Sequence, residues 1–289
     1  MIEYNNIYNC DYKDKIKEID DETIDLVLTD IPYMISKKTN LKGIKDYTNK
    51  NGKSNYYGME YEFEDENFCD IEDYINECWR ILKLGGNLIV WSSWQMLGDI
   101  EALIKSKYSD NNVDKFVKKV RVGIWIKNNP LPHNINIMPV NSTEMFICIS
   151  KGSNATFNKV RYDLNKVLKG SINVKNAIIK NDIEENVIRN ADLEIDDATY
   201  CFNESYERLI YIEPKVSGVN KIHPTQKPLN IIRHLLEVYS NKGDVVFDGL
   251  MGSGVTAVAS KIMERKYIGF EINKEYHLKA IERINKIGQ

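Results

Sequence analysis

Ile24-Asp25-Leu26-Val27-Leu28-Thr29, followed at once by Asp30-Ile31-Pro32-Tyr33, is the stretch of sequence that decides the fold. The first part is an apolar, β-prone run between polar residues, which predicts a buried strand. The strand leads into a carboxylate, a proline that lacks an N–H, and an aromatic ring. Ligands of open α/β sheets bind beyond the carboxyl ends of strands, so these four residues could receive a flat molecule with an amino group, such as a nucleobase. The alternative is a turn, in which Asp and Pro are common.

Predicted strands and helices alternate along most of the chain. Strands are predicted at 4–9, 24–29, 87–91, 117–127, 143–150, 245–247 and 267–272. Helices are predicted at 71–82, closed by Gly85-Gly86, and at 95–105, 226–240, 254–263 and 274–287, with a polar helix or loop at 13–22. This alternation is typical of an α/β fold with a mostly parallel sheet covered on both faces.

Chain length, apolar runs and cysteine count limit the kinds of protein that this sequence can encode. The 289 residues suffice for one large α/β domain, with or without an insertion. With no long apolar run and no signal-peptide layout, we expect a cytoplasmic protein without membrane contact. The five cysteines are scattered, with no C-x-x-C or Cys/His cluster, so neither a disulfide framework nor a metal site is expected.

Charge is segregated along the chain, although the net charge is only −3. Two basic stretches, 36–53 and 151–180, each contain a single acid, whereas acids crowd together at 182–197. The low net charge argues against nucleic-acid binding by bulk charge, but it allows a local basic face. A charge run by itself is more often a solvated surface.

A glycine-rich loop, Asp248-Gly249-Leu250-Met251-Gly252-Ser253-Gly254-Val255-Thr256, lies between a predicted strand and a predicted helix. Glycines let the backbone approach a ligand, and a helix start presents unpaired N–H groups to it. Glu271 ends the next predicted strand, where an acid commonly binds ribose hydroxyls. Because the loop lacks a Gly-Lys-Ser/Thr ending and the three-glycine dinucleotide pattern, it indicates a nucleoside cofactor without a polyphosphate.

Four motifs in order resemble the β class of amino-directed DNA methyltransferases, which contains N6-adenine and N4-cytosine enzymes. They are Asp30-Ile31-Pro32-Tyr33, the 125–132 segment Trp-Ile-Lys-Asn-Asn-Pro-Leu-Pro, the 223–228 segment His-Pro-Thr-Gln-Lys-Pro, and the 248–256 glycine loop. The resemblance covers nearly the whole chain except about 152–218. It implies a Rossmann-like S-adenosylmethionine methyltransferase fold with a circularly permuted motif order. The implied division is a catalytic half at 1–151, an inserted target-recognition region at 152–218 and a cofactor half at 219–289.

The resemblance also assigns the catalytic residues Asp30, Ile31, Pro32 and Tyr33. The Asp30 side chain and the Ile31 carbonyl would accept the hydrogens of the target amine, and Tyr33 would stack on a base flipped out of the duplex. Ile31 stands where the family has its first proline. Because any residue supplies a carbonyl, the resemblance implies that Ile31→Pro would be tolerated.

The cofactor in this family is S-adenosylmethionine. The residues that the resemblance assigns to it are Asp11, Asp30, Thr225, Lys227, Asp248, Leu250, Gly252, Ser253, Gly254, Thr256 and Glu271. Thr225 and Lys227 would meet the methionine carboxylate, and Asp11 the adenine. Asp11 could instead be a turn residue, and Lys227 a lysine at a helix start. Gly249 and Leu250 depart from the family's usual Pro and Phe, which implies a change in cofactor affinity.

Double-stranded DNA is the implied substrate, and the basic stretches are candidates for phosphate contacts. The residues assigned to nucleic acid are Lys37, Lys38, Asn129, Lys159, Arg161 and Lys166, with Asn128 and Asn134 as alternatives to Asn129. Acids at 182–197 would face away from the DNA. A homodimer and a cognate restriction endonuclease are compatible with the family.

Aspartate in the tetrapeptide favours adenine-N6 methylation, because cytosine-N4 enzymes more often have serine there. Cytosine-N4 methylation, a DNA-binding relative without catalysis and methylation of RNA are the alternatives.

Overall fold

The computed structural model describes residues 2–32, 70–108, 112, 116–130, 141–160, 209–218 and 221–287. Several residues named above lie outside these ranges: Tyr33, Lys37, Lys38, Asn134, Arg161, Lys166 and the acidic stretch 182–197. Their assignments stay predictions. No helix in the described part of the chain has the length and apolar character needed to cross a bilayer.

Eight strands form one sheet in the described residues. They are β1 (Asn6–Tyr8), β2 (Ile24–Asp30), β3 (Leu82–Ser92), β4 (Val117–Lys127), β5 (Thr143–Lys151), β6 (Ile210–Glu213), β7 (Val245–Asp248) and β8 (Lys266–Phe270). The strand order is β1-β8-β7-β2-β3-β5-β4-β6, and among these eight strands β5 alone runs against the others. The prediction of a mostly parallel sheet is therefore confirmed.

Helices cover both faces of the sheet. They are α1 (Tyr12–Lys15), followed by a 3₁₀ turn (Ile16–Glu18), α2 (Ile71–Ile81), α3 (Trp94–Ser106), α4 (Leu229–Tyr239), α5 (Val255–Ile262) and α6 (Lys274–Asn285). Successive side chains of β2 point to opposite faces of the sheet, so a layer of helices is needed on each face. Val27 packs into a core with α2 and α3, whereas Leu26 and Leu28 pack into a second core with α4.

One predicted boundary is wrong. Gly85-Gly86 does not close α2, which ends at Ile81, but lies within β3. Glycine is needed there for close approach of the backbones, because a Cβ on Gly86 would lie 2.8 Å from the carbonyl oxygen of Asp25. The pairing of β2 with β3 shifts register at the same place, between Ile24 and Leu26.

Strand β6 was not predicted from the sequence, and its residues fall inside the predicted 152–218 target-recognition region. This strand pairs in parallel with β4, from Ile124 opposite Ile210 to Lys127 opposite Glu213, so it belongs to the sheet. At the other end of the region, residues 152–160 hydrogen-bond to β3 and to the end of α4. Because residues 161–208 lie outside the described residues, the three-part division stays a prediction.

β7 and β2 are parallel neighbours, and the order in which the chain adds strands to the sheet reverses between them. From β7 the chain passes through α5 to β8 on one side, and from β2 it continues to β3 on the other. Such a switch point opens a crevice at the carboxyl ends of the two strands, where open α/β proteins bind ligands. Asp248 ends β7 and Asp30 ends β2, so both carboxylates lie at this crevice.

Ile31 has a structural role that the sequence analysis did not foresee. Its N–H donates to the carbonyl oxygen of Trp91 at 3.2 Å, which extends the pairing of β2 with β3 by one residue. Its side chain is 1% exposed and packs in the core with α2. The expectation that proline is tolerated here therefore needs correction, since proline lacks the donor and has a smaller side chain.

We predict that Ile31→Pro lowers the free energy of unfolding by about 1–2 kcal/mol beyond the effect of Ile31→Val, which retains the N–H. Denaturant titrations of the two variants and the wild-type protein measure this difference. Equal midpoints for the two variants would show that the Trp91 hydrogen bond contributes nothing.

Candidate functional site

The glycine loop follows β7 and depends on two left-handed residues. Gly252 has φ of +50° and Gly254 has φ of +70°, and Gly254 is the N-cap of α5. A Cβ on Gly254 would lie 2.7 Å from the Cβ of Ala280, so only glycine fits between α5 and α6. Close helix packing thus holds the loop at the carboxyl edge of the sheet.

Glu271 anchors the glycine loop from the neighbouring strand. It follows β8, and its Oε2 accepts the Gly252 N–H at 2.6 Å while Oε1 accepts the Asn273 N–H at 2.8 Å. Burial raises the pKa of Glu271 above its usual value, in opposition to these two N–H groups. A carboxylate has about four lone-pair positions, so it can also accept hydrogen bonds from a ligand's hydroxyls.

Asp248 joins the loop to β2. Its carboxylate accepts the Thr29 hydroxyl at 3.0 Å, the Thr256 hydroxyl at 2.8 Å and the Leu250 N–H at 3.2 Å. Burial raises the pKa of Asp248 to about 7, although these hydrogen bonds act in the opposite direction. The structure therefore gives Asp248 a role in holding the loop.

Tyr74 on α2 completes this buried network and was missed by the sequence analysis. Its hydroxyl oxygen lies 2.8 Å from Thr29 Oγ1 and accepts the Gly249 N–H at 3.0 Å. A Cβ on Gly249 would lie 2.7 Å from the Tyr74 ring. The surroundings of Gly249 therefore explain why this chain lacks the family's proline there. A proline ring would clash with the Tyr74 ring, and proline has no N–H to donate to the Tyr74 hydroxyl.

Asp30 lies at the mouth of the crevice, and its side chain is 25% exposed. Lys227 Nζ is 2.5 Å from Asp30 Oδ2 and 3.1 Å from Glu144 Oε2, and the lysine side chain is only 3% exposed. The structure therefore places Lys227 against the Asp30 carboxylate. Its assignment to the cofactor carboxylate stays a prediction, and the sequence analysis missed Glu144.

Several other residues assigned to the cofactor or to nucleic acid make hydrogen bonds within the protein. Asp11 caps α1 by accepting the Lys13 N–H, as expected of the turn residue considered above. Thr225 hydrogen-bonds the His223 ring, at 3.2 Å from hydroxyl to Nδ1. The Asn129 amide pairs with both backbone groups of Lys215 and so joins the end of β4 to the segment after β6. Ser253, also assigned to the cofactor, is buried, and its carbonyl accepts from Arg283.

Lys159 does not lie at the crevice. Its neighbour Asn158 donates to the carbonyls of Glu237 and Ser240, at the C-terminal end of α4, whereas the start of α4 lies next to Lys227. Eleven helical residues separate the two ends, roughly 16 Å. Lys151, from the same basic stretch, is buried and donates to the carbonyls of Trp79 and Leu82. The described part of this stretch thus lies at the opposite edge of the sheet.

A different group of lysines lies on the crevice side. Lys127 ends β4, and its register partner Glu213 is two residues before Lys215. The pKa of Lys215 is lowered by partial burial and by the charges of Lys221 and Lys127. Residues far apart in sequence therefore form a basic cluster, defined here as Lys127, Lys215 and Lys221, beside Asn129.

The family model of the N6/N4 DNA methylases, described as DNA methylase, matches residues 24–282. The chain belongs to the N6/N4 DNA methylase family. One relative, the type II methyltransferase M.HinfI of Haemophilus influenzae, is 27% identical over 290 residues, which cover 98% of this chain and 69% of the relative. The resemblance drawn from the four motifs is thereby confirmed.

Solved structures agree with this family. The M1.HpyAVI–SAM complex has a TM-score of 0.58 and 22% identity, over 97% of this methylase chain and 98% of that one. The cytosine-N4-specific PvuII DNA methyltransferase also has a TM-score of 0.58, with 16% identity over 100% of this chain and 89% of the other. At these identities the likeness establishes the methyltransferase fold.

The raised pKa of Asp248 predicts a dependence of stability on pH. Because its folded pKa of about 7 exceeds the unfolded value, its stabilising contribution is complete below about pH 4 and is lost as pH rises to 7. We expect wild-type stability to fall relative to Asp248→Asn across this range, by up to about 1.4 kcal/mol per pH unit. Denaturant titrations of both proteins at several pH values measure the difference, and a difference independent of pH would contradict the prediction.

Proposed function

We propose that the protein transfers a methyl group from S-adenosylmethionine to the exocyclic N6 amine of an adenine in double-stranded DNA. One observation supports this most directly: Asp30 and the Asp248 loop meet at the switch point of the sheet. Thr29, the residue before Asp30, donates to Asp248. A cofactor at the loop and an amine at Asp30 would therefore lie side by side, as an in-line transfer requires.

S-adenosylmethionine is the cofactor of the N6/N4 methylase family, and the residues of this site fit it. Glu271 is a carboxylate suited to ribose hydroxyls, and the loop at Gly252 and Gly254 lets the backbone approach closely. A Cβ at Gly252 would make only ordinary contact with the His223 ring, 3.5 Å away, so the left-handed φ of +50° is the reason for glycine at this position. When bound, the cofactor supplies an electrophilic methyl group on a positively charged sulfur.

Asp30 and Ile31 would prepare the amine for attack. The nitrogen lone pair of an aromatic amine is delocalised into the ring, so the amine is a poor nucleophile. The Asp30 carboxylate and the Ile31 carbonyl would accept hydrogen bonds from the two N–H groups of the amine and so favour a tetrahedral nitrogen. We assign Tyr33 to stacking on the flipped base and Pro32 to fixing the backbone between them.

Adenine is the base we propose, because the first residue of the tetrapeptide is Asp30. The specific observation in favour of cytosine-N4 is the fold shared with the PvuII enzyme, which is cytosine-N4-specific. We further propose that the methylase acts at a specific DNA site, as the type II relative M.HinfI suggests, and that it has a homodimeric state and a cognate restriction endonuclease.

The DNA would approach over the basic cluster, with Lys215 and Lys221 as the proposed phosphate contacts, since Lys127 is paired with Glu144. This cluster lies at the carboxyl edge of the sheet, next to Asn129 and on the same side as Asp30. We retain Lys37, Lys38, Arg161 and Lys166 as proposed phosphate contacts. Lys159 is removed from this set, because it lies at the opposite end of α4.

Asp30→Ala should abolish methylation while largely preserving S-adenosylmethionine binding, because the carboxylate would contact the amine and the glycine loop is held by Glu271 and Asp248. Each protein is expressed in a methylation-deficient bacterium, the DNA is digested to nucleosides, and the modified base is identified by mass spectrometry. Calorimetry measures cofactor binding. Asp99→Ala, an exposed aspartate on α3, is the matched control and should be fully active.

Three outcomes would contradict parts of this proposal. Full activity of Asp30→Ala would remove its catalytic assignment. N4-methylcytosine in place of N6-methyladenine would overturn the choice of base. Absence of S-adenosylmethionine binding by the wild-type protein would leave a DNA-binding relative without catalysis.

The basic cluster gives a prediction about salt. Lys215→Gln combined with Lys221→Gln should weaken DNA binding and reduce the slope of log K against log salt by about 0.9 for each phosphate that the variant no longer neutralises. Fluorescence anisotropy with a labelled duplex at several salt concentrations measures both quantities. Lys159→Gln, at the opposite edge, is the control, and an equal weakening in that variant would argue against a localised DNA face.

A further inference from the structure

The buried ion pair at Asp30 extends through a second carboxylate that no motif includes. Glu144 lies near the start of β5, and its side chain is 16% exposed. Glu144 Oε1 lies 2.7 Å from Lys127 Nζ, and Glu144 Oε2 lies 3.1 Å from Lys227 Nζ. With Lys227 on Asp30, the charges form an alternating series: Asp30, Lys227, Glu144, Lys127.

Sheet register explains how these four residues meet. Asp30 is opposite Trp91 on β3, Trp91 is opposite Phe146 on β5, and Glu144 is two residues before Phe146. Because β5 runs against its neighbours, its N-terminal end lies at the carboxyl edge with Asp30. Lys227 precedes α4 and reaches the same edge, where its Nζ lies 5.4 Å from the centre of the Trp91 ring.

Burial makes the series energetically coupled. An ammonium that is 3% exposed has lost most of its water, and leaving it uncompensated is costly. Glu144 is charged under ordinary conditions: burial acts to raise its pKa, but the charges of Lys227 and Lys127 outweigh burial and lower it. Lys227 is therefore shared between two carboxylates.

This sharing matters because Asp30 must still accept a hydrogen of the amine. A carboxylate has two oxygens, so a lysine on Oδ2 can fix the orientation of the group without using all its acceptor positions. Without the negative charge of Glu144, the full attraction of Lys227 would fall on Asp30. Asp30 would then be a weaker acceptor and would be less well placed.

We propose that Glu144 is a positioning residue for methyl transfer, acting through Lys227 on the Asp30 carboxylate. This inference rests on the proposed function. It differs from the assignment of Lys227 to the methionine carboxylate of the cofactor, because it places the effect of the lysine on the amine. The two assignments separate experimentally, since one concerns the rate of transfer and the other the affinity for S-adenosylmethionine.

Glu144→Gln keeps the shape of the side chain and removes its charge, and should lower kcat by about 10-fold or more, as expected of a misplaced reacting group. The affinity for S-adenosylmethionine should be unchanged. Transfer of labelled methyl to DNA from a methylation-deficient bacterium, at saturating cofactor and DNA, gives kcat. Calorimetry gives the cofactor Kd, and thermal melting reports folding. Glu101→Gln, in an exposed ion pair with Lys105 on α3, is the matched control and should resemble wild type.

A double-mutant cycle tests the route through Lys227. Lys227→Gln should also lower kcat, and the combined Glu144→Gln and Lys227→Gln variant should be no slower than Lys227→Gln alone. The combined variant removes both charges of the pair, so it remains measurable if Glu144→Gln alone fails to fold.

Three results would overturn the inference. They are wild-type kcat in Lys227→Gln, an additive further decrease in the combined variant, and a weakened cofactor Kd with unchanged kcat in Glu144→Gln. If the wild-type protein itself transfers no methyl group, the proposed function fails. An active wild type with an equally active Glu144→Gln removes only the role of Glu144.

Discussion

Parallel pairing of β2 with β7 is the constraint on which the site depends. The two strands pair through Leu26 opposite Val246 and Val27 opposite Phe247, although more than 200 residues separate them in the chain. Their carboxyl ends therefore lie side by side, and Asp30 meets the glycine loop there. The buried hydrogen bond from Thr29 to Asp248 closes this contact. Through this pairing, residues from the beginning and from the end of the chain line one crevice.

The elements with strong periodicity could be predicted from the sequence. The apolar runs of β2, β3 and β7 and the helical spacing of α2 can be recognised from the local sequence. The local residues around Asp30 also allow a turn, so its assignment depended on the order of the four motifs. The glycine loop and Glu271 together predicted a nucleoside cofactor. β6 could not be found in this way, because it has four residues and is stabilised by pairing with β4. Tyr74 and Glu144 were missed for a related reason: each enters the site through contacts more than 40 residues away in the chain.

The distribution of charge along the sequence was the poorest predictor of where charged residues lie in the fold. The basic stretch that begins at Lys151 looked like one surface, yet Lys151 is buried against backbone carbonyls and Lys159 lies at the far end of α4. Meanwhile Lys127 lies beside Lys215 and Lys221 on the crevice side, although almost 90 residues separate it from Lys215 in the sequence. A linear count of lysines records composition, whereas the direction of each strand decides at which edge of the sheet a lysine lies.

At both positions where this chain lacks the family's proline, 31 and 249, the backbone N–H donates a hydrogen bond. At position 31 an isoleucine N–H donates to the Trp91 carbonyl, and at position 249 a glycine N–H donates to the Tyr74 hydroxyl. Each position gives up the rigid φ of proline and gains a donor that the surrounding structure uses. The first hydrogen bond holds the 30–33 tetrapeptide to strand β3 of the sheet, and the second holds the glycine loop to helix α2. What looked in the sequence like weakened motifs is therefore a different way of fixing the same two loops.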